Sequence, residues 1–142
     1  MFESLFMMTP LAMSDDVVSV TNKRTVLIVD DEILIRWSLG ERLKQSGYAV
    51  IEAANGADAI AALKLGGVDA ILLDIKLPDA NGLRLLGRFK AMAPAVPVIM
   101  ITAHGTDEMA ADASSRGAYA FVHKPFDVEE IAAVVDKALA AG

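Results

Sequence analysis

An unbroken apolar run at residues 70–73 leads straight into Asp74, a carboxylate placed where chemistry can be predicted. A short apolar run is typical of a strand that is buried on both faces of a parallel sheet. Because an unpaired carboxylate inside such a strand would be costly, we expect Asp74 at its C-terminal end. Open α/β sheets bind ligands at that edge. There, an aspartate can act as a nucleophile and form an acyl phosphate.

Three other apolar runs end in polar residues that could serve the same site. Parallel strands bring their C-terminal ends to one edge of the sheet, so the residues that follow these runs should lie near Asp74. One polar residue at a strand end indicates little, whereas acids, a hydroxyl and an amine at four ends form a specific pattern. The residues are Asp30, Asp31, Thr102 and Lys124.

The predicted group of Asp30, Asp31 and Asp74 needs a cation, because neighbouring carboxylates repel one another. Oxygen ligands favour Mg²⁺, which binds one or two carboxylates and keeps several waters. The ammonium of Lys124 could pair with Asp74, and at an effective dielectric of about 20 this attraction is roughly 4 kcal/mol. A hydroxyl from Thr102 could donate to a phosphoryl oxygen. The pattern therefore predicts Mg²⁺-assisted phosphoryl transfer to Asp74.

Strand-like and helix-like segments alternate five times after residue 23, which predicts the scaffold for these residues. This alternation indicates an α/β fold, a parallel sheet with helices on both faces and right-handed crossovers. We predict a flavodoxin-like, doubly wound (βα)5 sheet with strand order 2-1-3-4-5. Asn55 and Thr106 are predicted helix N-caps, and Asp127 with Glu130 predicts a capping box.

Length and composition narrow the class of protein. With 142 residues, one domain is expected, and we interpret residues 1–22 as a disordered leader and residues 23–142 as the domain. The chain has 13 basic and 19 acidic side chains, a net charge of −6, and no basic stripe, so we expect no nucleic-acid partner. It lacks cysteine and any run of ~20 apolar residues, which favours a cytoplasmic protein without membrane association.

Four motifs in order resemble the receiver domain of bacterial two-component response regulators, and the resemblance covers about residues 24–140. Two further motifs are similar to the receivers of nitrogen-regulation-type transcription activators. The four motifs are Val26-Leu27-Ile28-Val29-Asp30-Asp31-Glu32, Leu73-Asp74 with Pro78 and Gly82, Ile101-Thr102-Ala103, and Lys124-Pro125-Phe126. The two further motifs are Ile35-Arg36-Trp37 and Ala103-His104-Gly105-Thr106.

The resemblance implies a phosphorylation site and its partners. Asp74 would accept a phosphoryl group from a sensor histidine kinase or a phosphotransfer protein. The domain would catalyse only its own phosphorylation and dephosphorylation, and the Lys124–Pro125 peptide bond would be cis. Mg²⁺ would be held by Asp31, Asp74 and the backbone carbonyl of Lys76, with Asp30 acting partly through water, while Lys124 and Thr102 contact the phosphoryl group.

The resemblance also implies a switch formed by Thr102 and Phe121. Phe121 stands where many receivers have tyrosine, so only steric gating would remain. The surface that registers phosphorylation would be the fourth helix, fifth strand and fifth helix, within residues 106–140. Because this sequence ends just after the fifth predicted helix, we expect another protein or a phosphorylation-dependent homodimer to read the change.

Other functions fit the residues less well. An aspartate phosphatase needs a second acid where Lys76 stands, and a flavin carrier needs a phosphate-binding loop where Asp30 and Asp31 would repel phosphate. A pseudo-receiver that only binds partners is disfavoured by the complete set of site residues. Glu32 is assigned only to the first helical turn, and Trp37 to helix packing or a contact face.

Overall fold

The computed structural model describes residues 23–141, and the leader predicted for residues 1–22 lies outside this range. Within it, five strands alternate with five helices, which confirms the predicted architecture. The strands are β1 (Thr25–Val29), β2 (Ala49–Ala53), β3 (Ala70–Asp74), β4 (Val98–Thr102) and β5 (Ala120–His123). The helices are α1 (Ile33–Gln45), α2 (Gly56–Lys64), α3 (Gly82–Met92), α4 (Asp107–Ser115) and α5 (Val128–Ala141).

The five strands form one parallel sheet in the order β2-β1-β3-β4-β5, as predicted. The chain moves outward in one direction from β1 to β2 and in the other direction from β3 to β5. Ligand crevices in open α/β sheets form at this reversal, between β1 and β3. In the sheet register, Val29 is level with Leu73, and Asp74 is level with Ile101. The polar ends of three central strands are therefore neighbours.

Side chains of alternate strand residues pack into two cores, one on each face of the sheet. One core joins the sheet to α2, α3 and α4, with Phe89 as its largest fully buried side chain. The other core joins it to α1 and α5 through residues such as Leu43 and Ile131. Strands β3 and β4 are buried along their whole lengths because helices cover both of their faces. Each fully buried aliphatic side chain contributes about 1.5–3 kcal/mol, so this region is held firmly.

The second and fifth strands begin later than the sequence predicts, for a common reason. The apolar segments 48–52 and 118–122 predict these two strands, but their first residues, Tyr48 and Ala118, do not belong to a strand. The Tyr48 amide donates to the carbonyl of Leu43, and the Ala118 amide donates to that of Ala113. Each residue thus satisfies its amide by closing the end of the preceding helix, and the strand starts one or two residues later.

The predicted helix caps are present with one change of partner. The side chain of Asn55 accepts from the amide of Asp58 at 2.8 Å, and that of Thr106 accepts from the amide of Met109 at 3.1 Å. Asp127 accepts from the amide of Glu129 at 2.9 Å, so the predicted capping box with Glu130 is wrong in its partner. The short aspartate side chain reaches the nearer amide.

Helix α1 leaves three large apolar side chains in solvent. Ile33, Leu34 and Trp37 expose 68%, 75% and 61% of their surface. They lie on the first two turns of the helix, directly after Glu32, and we call them the α1 patch. No helix within residues 23–141 combines the length and apolarity that are needed to cross a bilayer.

Candidate functional site

Asp74 is the last residue of β3, and its side chain is almost completely buried. One carboxylate oxygen accepts from the backbone amide of Lys76 at 3.3 Å. The other lies 3.1 Å from Nζ of Lys124. The strand end, the following loop and the loop after β5 therefore fix this carboxylate together, as the sequence predicts.

The residues after β1 bring three more carboxylates to Asp74. Asp30 is buried, and its Oδ1 accepts from the amide of Glu32 at 2.9 Å. Asp31 and Glu32 are exposed toward the opening of the site. One oxygen from each of Asp30, Asp31, Glu32 and Asp74 lies within 4.8 Å of all the others. This acidic cluster has the size and ligand chemistry that suit a hard divalent cation.

Lys124 supplies one ammonium to this cluster. Its Nζ lies 2.9 Å from Asp30, 3.1 Å from Asp74 and 3.3 Å from Glu32. Burial opposes the charge of Lys124, but hydrogen bonds and charge attraction from Asp30 and Asp74 outweigh burial and raise its pKa above the ordinary value. Burial raises the pKa of Asp30, an effect opposed by its bonds to the Glu32 amide and to Lys124. One cation is thus shared among three acids.

The sequence reasoning missed the part that Glu32 plays here. The sequence predicts Glu32 only at the start of α1, whereas the carboxylate of Glu32 turns toward Lys124. The pairing of Lys124 with Asp74 was expected, but the closest partner is Asp30. Direct adjacency to Asp30 and Asp31 was the only sequence signal that pointed to Glu32.

Thr102 closes the opposite side of the site from the end of β4. Its side chain is buried, and its Oγ1 accepts from the amide of His104 at 3.3 Å. Because the hydroxyl accepts from this amide, its own proton can be donated to a ligand. The carbonyl of Thr102 accepts from the amide of Lys124 at 2.8 Å, and the Lys124–Pro125 bond is cis, as expected. Thr102 and Lys124 line a cleft of about 290 Å³, together with Asp31, Asp74, Lys76 and His104.

Phe121 and Thr102 meet at Gly105 in the loop between β4 and α4. A β-carbon at Gly105 would lie 2.6 Å from Cε1 of Phe121 and 2.8 Å from Cγ2 of Thr102. Real β-carbons do not approach other atoms so closely, so only glycine fits here without moving its neighbours. Phe121 is half-buried, and its ring meets that of His123 edge-on at 5.4 Å. The loop therefore fills the space between the two residues predicted to form the switch.

Comparison with known proteins places this geometry in a family. The model of the family described as "Response regulator receiver domain" matches residues 26–136, which include every residue of the site. The chain belongs to the response regulator receiver family. Phosphorylation on an aspartate is the general function of this family in two-component systems.

Individual relatives agree with this membership. The receiver is 39% identical over 114 residues to the DNA-binding transcriptional regulator NtrC of Escherichia coli K12, which covers 80% of this chain but 24% of NtrC. The chain thus spans about a quarter of that protein. The solved receiver domain of NtrX from Brucella abortus is 36% identical with a TM-score of 0.77, covering 82% of this chain and 99% of that one. These similarities confirm the predicted nitrogen-regulation type.

A wider comparison supports the fold. A CheY-like receiver domain from Methanospirillum hungatei JF-1 has a TM-score of 0.81 and 29% identity, and it covers 84% of this chain and 96% of that one. The chain therefore has the receiver fold, and its strand order is the predicted flavodoxin-like one.

Proposed function

We propose that Asp74 is the phosphoacceptor of this receiver. The observation that carries the proposal is that Asp74 belongs to the acidic cluster and lies 3.1 Å from the ammonium of Lys124. An Asp74 oxygen attacks the phosphorus of a phosphohistidine, the new P–O bond forms as the P–N bond breaks, and the imidazole leaves with its electron pair. Lys124 then contacts a phosphoryl oxygen, and Thr102 donates its hydroxyl proton to another.

The metal-binding part of the proposal follows from the donors present. Asp31, Asp74 and the backbone carbonyl of Lys76 would hold Mg²⁺, and Asp30 would act partly through water. All four are oxygen donors, which Mg²⁺ prefers. When bound, Mg²⁺ neutralises charge on the transferred phosphoryl oxygens. Glu32 adds negative charge at the opening of the cleft and helps to attract the cation.

The phosphodonor is a sensor histidine kinase or a phosphotransfer protein in the cytoplasm. The receiver catalyses only its own phosphorylation and dephosphorylation. The α1 patch supports a protein donor, because Ile33, Leu34 and Trp37 are exposed beside the opening of the acidic cluster. An apolar surface next to a reaction site is typical of a protein contact. Acidic composition and the lack of a basic stripe support a receiver that does not itself bind nucleic acid.

A mass measurement tests the phosphoacceptor. Wild type and Asp74→Asn are incubated with acetyl phosphate, with and without MgCl₂, and their intact masses are compared. We expect one phosphoryl group on wild type only when Mg²⁺ is present and none on Asp74→Asn. Equal labelling of the two proteins would overturn the assignment. A chain without residues 1–21 should be labelled like wild type, since the proposed domain comprises residues 23–142.

The proposed output uses Thr102 and Phe121 as a steric switch. A phosphoryl group on Asp74 draws the Thr102 hydroxyl toward it, and Phe121 turns into the space that opens. Both side chains contact the Gly105 loop, so the loop between β4 and α4 must shift with them. The change reaches the surface formed by α4, β5 and α5, where a homodimer or another protein reads it.

Beryllofluoride, a phosphoryl mimic, tests this output. We expect altered amide exchange in residues 106–140 after its addition. Light scattering then separates the partners: a doubled mass indicates the homodimer, and an unchanged mass indicates a different protein. Unaltered exchange together with a monomeric mass would refute the switch.

A further inference from the structure

The loop between β3 and α3 is a tight hairpin that presents Lys76 to the site. The amide of Leu77 donates to the carbonyl of Ala80, and the amide of Gly82 donates to that of Ile75. Lys76 lies between these bonds, opposite Asn81, in an isolated antiparallel bridge. The flanking bonds make Lys76 and Asn81 a non-hydrogen-bonded antiparallel pair, in which the amide and carbonyl of each residue point away from the partner strand. The hairpin therefore leaves the Lys76 carbonyl free for a ligand, while its amide donates to Asp74.

Asp79, at the tip of this hairpin, fastens it to another helix. Its Oδ1 accepts from the amide of Gly56 at 2.7 Å, and its Oδ2 accepts from the amide of Ala57 at 3.1 Å. These amides belong to the first turn of α2, whose own helix cannot satisfy them. The bonds hold the charged form of Asp79 and lower its pKa. Both carboxylate oxygens are used, so the hairpin tip is held at two points.

Close packing beside these bonds shows how narrow the junction is. A β-carbon at Gly56 would lie 3.0 Å from Cβ of Ala80, 3.1 Å from Cδ1 of Leu85 and 3.3 Å from Oδ1 of Asp79. A side chain at residue 56 would thus push the hairpin away from α2. Asn55 already caps the same helix through the amide of Asp58. Asp79 is therefore an additional, long-range cap whose distinct effect is to connect the hairpin to the helix.

We infer that Asp79 is a positioning residue for the magnesium site: by binding the first turn of α2, it fixes the hairpin that presents the Lys76 carbonyl. This inference rests on the proposed function, because Lys76 is a ligand only if Asp74 and Asp31 bind Mg²⁺. Asp79 touches neither the metal nor the phosphoryl group. Without its two bonds, the hairpin keeps its internal hydrogen bonds and its buried Leu77 but loses its attachment to α2, so the Lys76 carbonyl is held less firmly.

A matched pair of variants separates positioning from helix capping. Asp79→Ala removes both bonds to α2, whereas Asp58→Ala removes a carboxylate from the first turn of the same helix and leaves the hairpin unchanged. Both lower the stability of α2, so only Asp79→Ala should alter the metal site. Asp79→Asn keeps one oxygen acceptor and serves as a milder variant if Asp79→Ala does not fold.

Two measurements on the full chain complete the test. The first is hydrogen exchange of residues 75–82 without Mg²⁺, which we expect to rise in Asp79→Ala and to match wild type in Asp58→Ala. The second is Mg²⁺ affinity from amide chemical shifts during titration with MgCl₂. Outer residues that orient metal ligands typically change affinity at least tenfold, so we expect about tenfold weaker binding in Asp79→Ala, an intermediate loss in Asp79→Asn and less than about twofold in Asp58→Ala.

The outcomes distinguish this inference from the proposed function. Equal Mg²⁺ affinities in Asp79→Ala and Asp58→Ala, with normal binding by wild type, would overturn the inference alone. Unaltered exchange of the hairpin in Asp79→Ala would also overturn it. A wild-type protein that does not bind Mg²⁺ would overturn the proposed metal site and, with it, the role of Asp79.

Discussion

The charged side chains at the two edges of the sheet differ in the partners that they have. At the N-terminal edge, three charged side chains have backbone partners of their own. Arg24 donates to the Leu139 carbonyl at 2.7 Å, Lys90 donates to the carbonyls of Pro94 and Val96 at 2.9 and 3.0 Å, and Asp69 accepts from the Thr25 amide at 2.8 Å. At the C-terminal edge, four carboxylates lie close together, and the ammonium of Lys124 pairs with three of them.

This difference separates stability from function within one fold. Charges at the N-terminal edge close helix ends and loops, where backbone groups would otherwise lack partners. Among residues 23–141, the buried polar side chains are Asp30, Asp74 and Thr102, and all three lie at the C-terminal edge. Burying acids close together costs stability, and a cation or a phosphoryl group can change that cost. The C-terminal edge therefore responds to a cation or a phosphoryl group, because its acidic side chains outnumber the ammonium that pairs with them.

The largest expected contrast in stability and in labelling of Asp74 is between substitutions of Lys124 and of Lys90. Lys124→Met leaves the acidic cluster uncompensated, so we expect unfolding to become easier by about 2 kcal/mol, below the usual cost of breaking a buried pair because the cleft is open. Labelling of Asp74 should slow by about a hundredfold, since a donor to the transferred group is lost. Lys90→Met should cost about 1 kcal/mol and leave labelling unchanged. Urea unfolding and intact-mass kinetics measure both, and equal labelling rates would break the comparison.

Asp30→Asn should stabilise the protein, which is unusual for a change at a buried polar residue. The amide oxygen still accepts from Glu32, while repulsion between Asp30 and Asp74 disappears. We expect unfolding to become harder by about 1 kcal/mol without metal, because burial and repulsion from Asp74 outweigh the bonds of the Asp30 carboxylate to the Glu32 amide and to Lys124, as the raised pKa of Asp30 indicates. Thermal melts with and without MgCl₂ measure this, and the stabilisation by Mg²⁺ should shrink. A lower melting temperature in metal-free buffer would contradict the prediction.

Asp69→Ala is the counterpart at the N-terminal edge and should act in the opposite direction. It leaves the Thr25 amide without its acceptor, and a lost hydrogen bond of this kind costs about 1 kcal/mol. Phosphoryl labelling of Asp74 should not change. The same melts and mass measurements apply, and an increase in stability would show that the two edges do not differ as described.

The smallest effect concerns Tyr48, whose hydroxyl donates to the carboxylate of Asp136 near the end of α5. Burial and this bond raise the pKa of Tyr48 from 10.0 to about 12. Its stabilisation is therefore complete below pH 10, the unfolded value, and is lost as the pH rises toward 12. Tyr48→Phe should cost about 0.5–1 kcal/mol at pH 8 and reduce the loss between pH 10 and 12. Urea titrations at several pH values test this, and parallel pH profiles would refute it.

The sequence was sufficient for the architecture because each element carried its own local signal. The apolar runs that became β1, β3 and β4 are continuous, and the residues that end them fall at one edge in any parallel sheet. The order of the strands followed from topology rules that allow few alternatives. Asn55 and Thr106 cap the helices as their short polar side chains predict.

The details that sequence reasoning missed depend on distances between segments far apart in the chain. The contact of Lys124 with Asp30 and Glu32 joins residues more than ninety positions apart, and no periodicity encodes which acid lies closest. The attachment of Asp79 to α2 depends equally on the path of two loops. Residue type indicated which groups gather at the edge, and packing determined how they share their partners.

Trp37 gives this receiver a built-in optical reporter. It is the only tryptophan in the chain, and it lies on α1 five residues after Glu32, about 7.5 Å along the helix axis. With 61% of its surface in water, its emission should be that of an exposed indole and should respond to changes in its surroundings. Binding of a partner to the α1 patch would cover the indole and shift its emission to shorter wavelength. Encounters with a phosphodonor protein can therefore be followed in solution without attaching a dye.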